Sequence, residues 1–467
     1  MLTTLVGAVV VLLHLAGVLA AMHAVMHTRT PQGAFAWALG LVFLPYVTLV
    51  PYLYLGRSRF HGYVDLHRRR RGQMQALANG QLPTGTASQQ ACERYSEIAR
   101  LLGARFHDGQ RLKLLVDGEA TFEAILGAIG EARRCVLVQF FIIHDDALGR
   151  RLQQALLERV RAGVEVCVLF DGIGSHALPR QYVETLREAG VAIHPFATQR
   201  RSNRFQLNFR NHRKIVVVDG TRGYVGGLNV GDEYLGLKPP LSPWRDTHLQ
   251  IEGPAVADLQ RSFAEDWHWV TGELPPLLRP GPGHGGARTL VAATGPADRQ
   301  ETCSLFFTAL IHAARRRLWI TTPYFVPDPA VMAALRLAVF RGVDVRVLIP
   351  ARPDHHTVFL ATGLYAHDAV RAGIRVFRYQ PGFLHQKVTL VDDDTATVGS
   401  MNLDNRSFRL NFEIGSLHVD RGFAGEVERM LDEDFAQARE VTEAEYLQAP
   451  YLRRLAMHVA RLFDPVL

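Results

Sequence analysis

The sequence predicts an α/β protein of two tandem α/β/α domains that share one site across a pseudo-twofold axis, behind an N-terminal hairpin of two transmembrane helices. Three observations carry this. Two long uncharged apolar stretches open the chain. An alternation of strand-like and helical runs, the βαβ signature of a parallel sheet, then occurs twice. Each occurrence ends in the same spacing of histidine, lysine and aspartate.

Leu2 to Met26 carry no charged side chain, and at ~1.5 Å per residue such a helix crosses a hydrocarbon layer of ~30 Å. After Arg29 and Pro31 a second uncharged stretch, Ala34 to Leu55, includes Trp37, Tyr46, Tyr52 and Tyr54, residues suited to the membrane interface. A cleaved signal peptide is disfavoured, because no positive region precedes the first stretch and a second apolar run follows at once. Beyond the second stretch come Arg57, Arg59 and the run Arg68 to Arg71, against only Arg29 in the short loop. The positive-inside rule then places both termini and everything after residue 56 on the cytoplasmic side of the membrane. The Arg68 to Arg71 run either touches anionic head groups or is a solvated topogenic cluster.

The 467 residues and net charge of +7 suit two or three domains with ample core, and exclude wholesale disorder. The repeat supplies the boundaries. In the first half EARRCVLVQFFI leads through helices to RAGVEVCVLF and EAGVAIHPF, and in the second HAARRRLWITTPYF leads to RGVDVRVLIP and RAGIRVFRY. Matching glycines, Gly163 with Gly342 and Gly190 with Gly373, end the helices. The Pro/Gly-rich segment from Pro275 to Gly286 is the linker. The expected organisation is a hairpin over 1–60, a basic juxtamembrane region over 61–108, a first domain over 109–274, a linker over 275–288, and a second domain over 289–467 that ends in a helix. Cys92, Cys135, Cys167 and Cys303 are far apart and form no CxxC pair, which indicates buried thiols rather than a zinc site or a disulfide framework.

Both halves arrive at one cluster. HRKIVVVD holds His212, Lys214 and Asp219 and leads to GGLN, ending at Asn229; HQKVTLVD holds His385, Lys387 and Asp392 and leads to GSMN, ending at Asn402. The spacing H-x-K-x4-D arises by chance in about one chain in a hundred of this length, so two copies at matching places are no accident. The chain has only four lysines, Lys113, Lys214, Lys238 and Lys387, and the motifs use two of them. Histidine and lysine two apart on an extended chain share a face. Two halves docked about a twofold axis therefore offer two imidazoles, two ammoniums and two carboxamides to one anion, a set suited to a phosphodiester. Lys214, Lys387, Asn229 and Asn402 would hold the non-bridging oxygens. One imidazole attacks phosphorus, and the other protonates the leaving alkoxide and then deprotonates the acceptor. This chemistry needs no metal and no cofactor. Each histidine needs an acceptor on its second ring nitrogen, and the strand after each cluster carries a candidate, Asp246 or Glu413. Asp219 and Asp392 either complete the catalytic motif or, at the far ends of their strands, fix a turn or salt bridge.

The doubled motif followed by G-[GS]-x-N resembles the phospholipase D superfamily. The hairpin segments RTPQGAFAWALGLVFLPY and YLYLGR, with GGLNVGDEY, WRDTHLQIEG, TPYFVPD and GSMNLDNRSFRLNFE, resemble the bacterial cardiolipin synthases of that superfamily, over essentially the whole chain. The resemblance implies a phospholipase D-like fold and a membrane-bound phosphatidyltransferase. One phosphatidylglycerol forms a phosphatidyl-histidine and releases glycerol, and a second takes the phosphatidyl group to give cardiolipin. Carried over by motif position, His212 is the nucleophile and His385 the general acid/base. Gly227, where serine is commoner, removes at most one hydroxyl donor to phosphate, a donor that Ser400 would supply in the second copy. Tyr324, Phe325 and the segment Asp232 to Tyr234 either line the mouth of the site or pack in the core.

Partners expected on this reading are phosphatidylglycerol and other anionic phospholipids, with no nucleic acid; the oligomeric state, the second alcohol and the acyl-chain preference stay open. The alternatives are a phosphodiesterase of the same superfamily, acting as a lipid hydrolase or a nuclease, and a non-enzymatic lipid-binding module. A nuclease needs no membrane spans, and the arginine excess shows no aromatic-interleaved stripe. The amphipathic segment from Tyr451 either lies on a membrane surface or packs on the protein.

Overall fold

The computed structural model describes residues 2–28, 31–56, 93–196 and 209–467. Arg29, the arginines between Arg57 and Arg71, Cys92 and most of the connection before His212 lie outside these residues. The described chain falls into a small N-terminal unit and a large unit running from residue 93.

In the N-terminal unit the first stretch is one helix, α1 (Leu2–His27). Its segment Thr4–His27, of 24 residues and mean hydropathy 2.5, is the one described helix long and apolar enough to cross a membrane. The second stretch is not the single span expected from sequence. It forms α2 (Pro31–Phe43) and α3 (Pro45–Leu55), interrupted at Leu44. Pro45 has no N–H to continue the ladder and restricts the residue before it, and Leu44 takes φ −135° and ψ 54°. The chain then doubles back: the Trp37 and Tyr52 rings lie 5.2 Å apart, and Thr48 Oγ1 donates to the Gly40 carbonyl at 2.7 Å. A straight helix at ~1.5 Å per residue would hold positions 37 and 52 more than 20 Å apart. Both helices pack on α1, where a Cβ on Gly17 would stand 2.3 Å from the Leu41 carbonyl oxygen.

The large unit is built on one continuous sheet. The first half contributes β1 (His107–Val116), β2 (Cys135–Phe140), β3 (Glu165–Asp171), β4 (Ala192–Phe196), β5 (Arg210–Asn211), β6 (Ile215–Val218), β7 (Arg222–Gly226), β8 (Trp244–Arg245) and β9 (Thr247–Glu252). The second contributes β10 (Ala287–Thr294), β11 (Arg317–Thr321), β12 (Phe325–Val326), β13 (Asp344–Pro350), β14 (Arg375–Tyr379), β15 (Phe383–Leu384), β16 (Val388–Val391), β17 (Thr395–Gly399), β18 (Leu403–Asp404), β19 (Asn411–Val419) and β20 (Ala438–Glu440). The order in the main sheet is β20-β14-β13-β11-β16-β17-β19-β10-β1-β9-β7-β6-β2-β3-β4, with β5 beside β19, while β8 with β15 and β12 with β18 form separate two-stranded ladders; the main order reads alike from either side of the β10/β1 pair once β20 is set aside. The repeat expected from sequence is thus a twofold pattern whose halves fuse through the antiparallel pairing of β1 with β10, His107 opposite Thr289.

Each half keeps the predicted βαβ logic. β2, β3 and β4 are parallel, as are β11, β13 and β14. The motif strands β6 and β16 join them antiparallel, Val136 opposite Val218 and Leu318 opposite Val391. All four residues of each motif strand are buried, as expected of strands covered on both faces. Gly163, Gly190, Gly342 and Gly373 have φ of 82°, 101°, 83° and 85°, a region L side chains avoid, so the four matched helix ends need glycine. Asp146 and Asp328 cap the helices after β2 and β11 by accepting from Gly149 N and Val331 N.

Candidate active site

His212-Arg213-Lys214 and His385-Gln386-Lys387 are extended segments leading into β6 and β16. Each histidine is fixed by the opposite half of the chain. The His212 N–H donates to the Phe412 carbonyl at 2.9 Å and the His385 N–H to the Arg245 carbonyl at 2.7 Å. The imidazoles repeat the exchange: His212 Nδ1 lies 2.9 Å from Glu413 Oε2, and His385 Nδ1 lies 2.7 Å from Asp246 Oδ2. The two carboxylates named from sequence lie against the rings, but crosswise, over 201 and 139 residues of sequence. A carboxylate on Nδ1 keeps that nitrogen protonated and leaves Nε2 with its lone pair. The intervening residues anchor the segments from behind, Arg213 through Asp266 at 2.9 Å and Gln386 through Asp434 at 2.7 Å. Arg245 also pairs with Asp434, at 2.7 Å, and ties the first half to the second.

The carboxylates are held differently. Glu413 accepts from Ser400 Oγ at 2.5 Å, Ser407 Oγ at 2.9 Å and Asn411 Nδ2 at 3.1 Å. The Ser400 hydroxyl therefore serves the carboxylate rather than a phosphate, which corrects the expectation from sequence. Asp246 accepts the Thr247 N–H at 2.7 Å. A Cβ on Gly227 would lie 2.1 Å from Asp246 Oδ1, so the missing side chain makes room for the shorter acid.

The two ammoniums sit with the imidazoles. Lys214 Nζ donates to the His212 carbonyl at 2.7 Å, Lys387 Nζ to that of His385, and each imidazole feels the charge of both lysines. Burial disfavours charge throughout. It lowers His212 and His385 to about 4, so both rings are neutral near pH 7. Burial also lowers Lys214 to about 7 and Lys387 to about 8, against the pull of the carboxylates. Burial alone would raise Asp246, but His385 and Lys387 outweigh it and hold the acid at about 2. Glu413 is lowered in the same way by His212 and Lys214. With both lysines charged the empty site is neutral, two ammoniums against two carboxylates. A bound phosphodiester adds one negative charge, which favours protonated lysines and one protonated imidazole.

Asn402 Oδ1 is buried without a partner. Asn229 is engaged, Oδ1 accepting from Ile142 N at 3.2 Å and Nδ2 donating to the Tyr234 hydroxyl at 3.1 Å. Asp219 and Asp392 lie away from the imidazoles, at the far ends of β6 and β16. Asp219 accepts the N–H groups of Arg133, Arg134 and Cys135 at 2.8–3.0 Å, and Asp392 those of Arg315, Arg316 and Arg317 at 2.7–3.2 Å. Of the two sequence readings, these contacts match the turn-fixing one. The aromatic walls were only partly legible: Phe141 meets His212 at 5.1 Å, Trp244 meets His385 at 5.1 Å, and Tyr234 meets Trp244 at 4.9 Å. Lys238 pairs with Asp146 and Glu233 at 3.1 and 2.9 Å, while Lys113 is exposed on β1. Cys135, Cys167 and Cys303 are buried free thiols.

Two family profiles match this chain. That described as the phospholipase D-like domain of cardiolipin synthase covers residues 125–267 and 307–435, and that of the phospholipase D-nuclease N-terminal region covers 15–57. Cardiolipin synthase A of Pseudomonas aeruginosa (strain LESB58) is 58% identical over 100% of this chain and 97% of its own length. The chain belongs to the cardiolipin synthase family. Cardiolipin synthase A of Pseudomonas fluorescens (strain Pf-5) is 57% identical over 99% of this chain and 98% of its own. Among solved structures, a phosphatidylserine synthase of Haemophilus influenzae aligns with TM-score 0.62 at 15% identity, over 80% of this chain and 100% of that one. That likeness concerns the fold, a doubled phospholipase D-like α/β body.

Proposed function

We infer that this family member is a membrane-bound phosphatidyltransferase that makes cardiolipin and glycerol from two molecules of phosphatidylglycerol. The observation that carries the reading is the crossed pair, two buried neutral imidazoles each held at Nδ1 by the other half's carboxylate, with two ammoniums beside them. His212 Nε2 attacks the phosphorus of the first lipid. Lys214, Lys387 and Asn402 stabilise the charge that builds on the non-bridging oxygens, and Asn229 positions its loop. His385, protonated once the anion is bound, gives its proton to the departing glycerol oxygen. The hydroxyl of the second lipid then returns a proton to His385 as its oxygen displaces His212.

A transferase in water must favour a lipid alcohol over hydrolysis, and anchoring at the bilayer raises the concentration of that alcohol. The span α1 supplies the anchor. The arginine-rich stretch after residue 56 supports a catalytic body on the cytoplasmic face of the inner membrane. Purified full-length protein in phosphatidylglycerol vesicles is expected to release glycerol and cardiolipin in equal amounts. Phosphatidic acid as the sole product would make the protein a hydrolase.

A further inference from the structure

The doubled fold breaks its symmetry at one place beside the site. After β11 the chain passes through Tyr324 into β12, which pairs in parallel with β18, Phe325 opposite Leu403. Tyr324 therefore stands across from Asn402, the last residue of GSMN. Its hydroxyl donates to Asp354, from the loop after β13, and both residues are half-buried. The equivalent position in the first half is Ile142, across from Asn229 through the bridge of Ile143 with Val230. There the loop after β3 is held instead by Ser175, bonded to the backbone of Ile143 and Phe141 at 3.0 and 3.1 Å. A hydroxyl-carboxylate pair thus occurs at this position in the second half and has an apolar counterpart in the first.

The pair belongs to the His385 side. The charge of Asp354 reaches Lys387 and Tyr234. Tyr234 meets Trp244 at 4.9 Å, and Trp244 meets His385 at 5.1 Å. In an in-line displacement at phosphorus the nucleophile and the alcohol occupy opposite faces, and the alcohol is the partner of the general acid/base. A carboxylate with a tyrosine hydroxyl is a fitting acceptor and donor set for neighbouring hydroxyls.

We propose that Tyr324 and Asp354 bind the free hydroxyls of the glycerol head group, first on the alcohol that leaves and then on the one that attacks, and so set a preference for polyols over simple alcohols. The inference rests on the phosphatidyltransferase reading and deepens it. In the second step a primary hydroxyl forms the new P–O bond as the P–N bond to His212 breaks, and its proton passes to His385. The adjacent secondary hydroxyl stays on the Tyr324–Asp354 pair. Tyr324 and Asp354 are positioning residues: they exchange no proton with the reacting atoms.

The test uses full-length protein in phosphatidylglycerol vesicles with labelled glycerol and 1-propanol in competition. Labelled phosphatidylglycerol and phosphatidylpropanol are measured from the same reaction, so their ratio is independent of how much protein folds. Asp354→Asn and Tyr324→Phe are each expected to lower the glycerol-to-propanol ratio about 10-fold or more, the scale on which a lost hydrogen bond to a charged group is read. A ratio equal to that of the wild type in both variants, whatever happens to the overall rate, would overturn the proposal. If wild-type protein yields phosphatidic acid and transfers to neither alcohol, the phosphatidyltransferase reading itself fails. That result is distinct, because it is seen before any variant is made.

Discussion

Glu413→Gln tests the crossed arrangement and the order of the two histidines together. The wild-type carboxylate accepts from Ser400, Ser407 and Asn411 as well as from His212 Nδ1 at 2.9 and 3.1 Å. Glutamine offers one acceptor oxygen where there were two, and its NH2 must face either His212 or that cluster of donors. Facing His212, it forces the ring proton onto Nε2, the nitrogen that has to attack. A wrong-tautomer lesion of this kind costs on the order of 10³–10⁴ in rate, about 4–5.5 kcal/mol of barrier. Asp246→Asn imposes the same lesion on His385. The assay compares phosphatidylglycerol with phosphatidyl-p-nitrophenol, whose leaving group departs without a proton, and follows first-turnover release. With His212 as nucleophile, Glu413→Gln loses ~10³-fold or more on both lipids. Asp246→Asn then loses that much only on phosphatidylglycerol and less than ~10-fold on the activated lipid. The opposite pattern would make His385 the nucleophile. Equal losses for both variants on both lipids would refute the division of roles.

Three further outcomes are expected. Asp219→Ala removes the acceptor of three backbone N–H groups and places alanine at φ 51°; it should cost ~1–3 kcal/mol of stability and lower Tm. A loss of kcat with unchanged Tm would return Asp219 to the catalytic set. The pH profile of kcat/KM should fall toward pH 4, where the neutral imidazoles of His212 and His385 protonate, and again above pH 7–8, where Lys214 and Lys387 lose their charge. The alkaline limb of kcat should lie higher, because bound phosphate holds the lysines protonated; coincident limbs would count against phosphate binding by the ammoniums. Finally, α3 doubles back on α2 and leaves one described span, so Thr4→Cys should be labelled from the periplasm and Thr28→Cys from the cytoplasm of intact cells and inverted vesicles. The reverse labelling would restore a two-span hairpin.

The sequence was most legible where the chemistry is local. H-x-K-x4-D places histidine, lysine and turn aspartate by spacing alone, and because the pattern occurs twice, the twofold sheet order followed from the repeat. The break in the second apolar stretch was not legible because composition measures length and polarity but not continuity: Pro45 was in plain view, yet the return of Tyr52 onto Trp37 depends on tertiary contacts. Asp246 and Glu413 could be named as acceptors because each follows a motif and a buried imidazole needs one. Their crossed pairing could not, since it arises only when β9 and β19 lie on either side of the β1/β10 seam.

That crossing explains why one chain carries both motifs. A single half holds a histidine without its carboxylate and a carboxylate without its histidine, so neither half has a correctly protonated imidazole until the other is in place. Near-symmetric halves also pose a problem for catalysis, because a twofold site offers its phosphate two equivalent nucleophiles and no defined face for the alcohol. The differences between the halves supply that direction. Gly227 faces a short acid where Ser400 hydrogen-bonds a long one, and Ile142 stands where Tyr324 meets Asp354. On the proposed reading, a donor lipid has one orientation that puts its glycerol against the Tyr324–Asp354 pair, and in that orientation the imidazole assigned to attack phosphorus is His212.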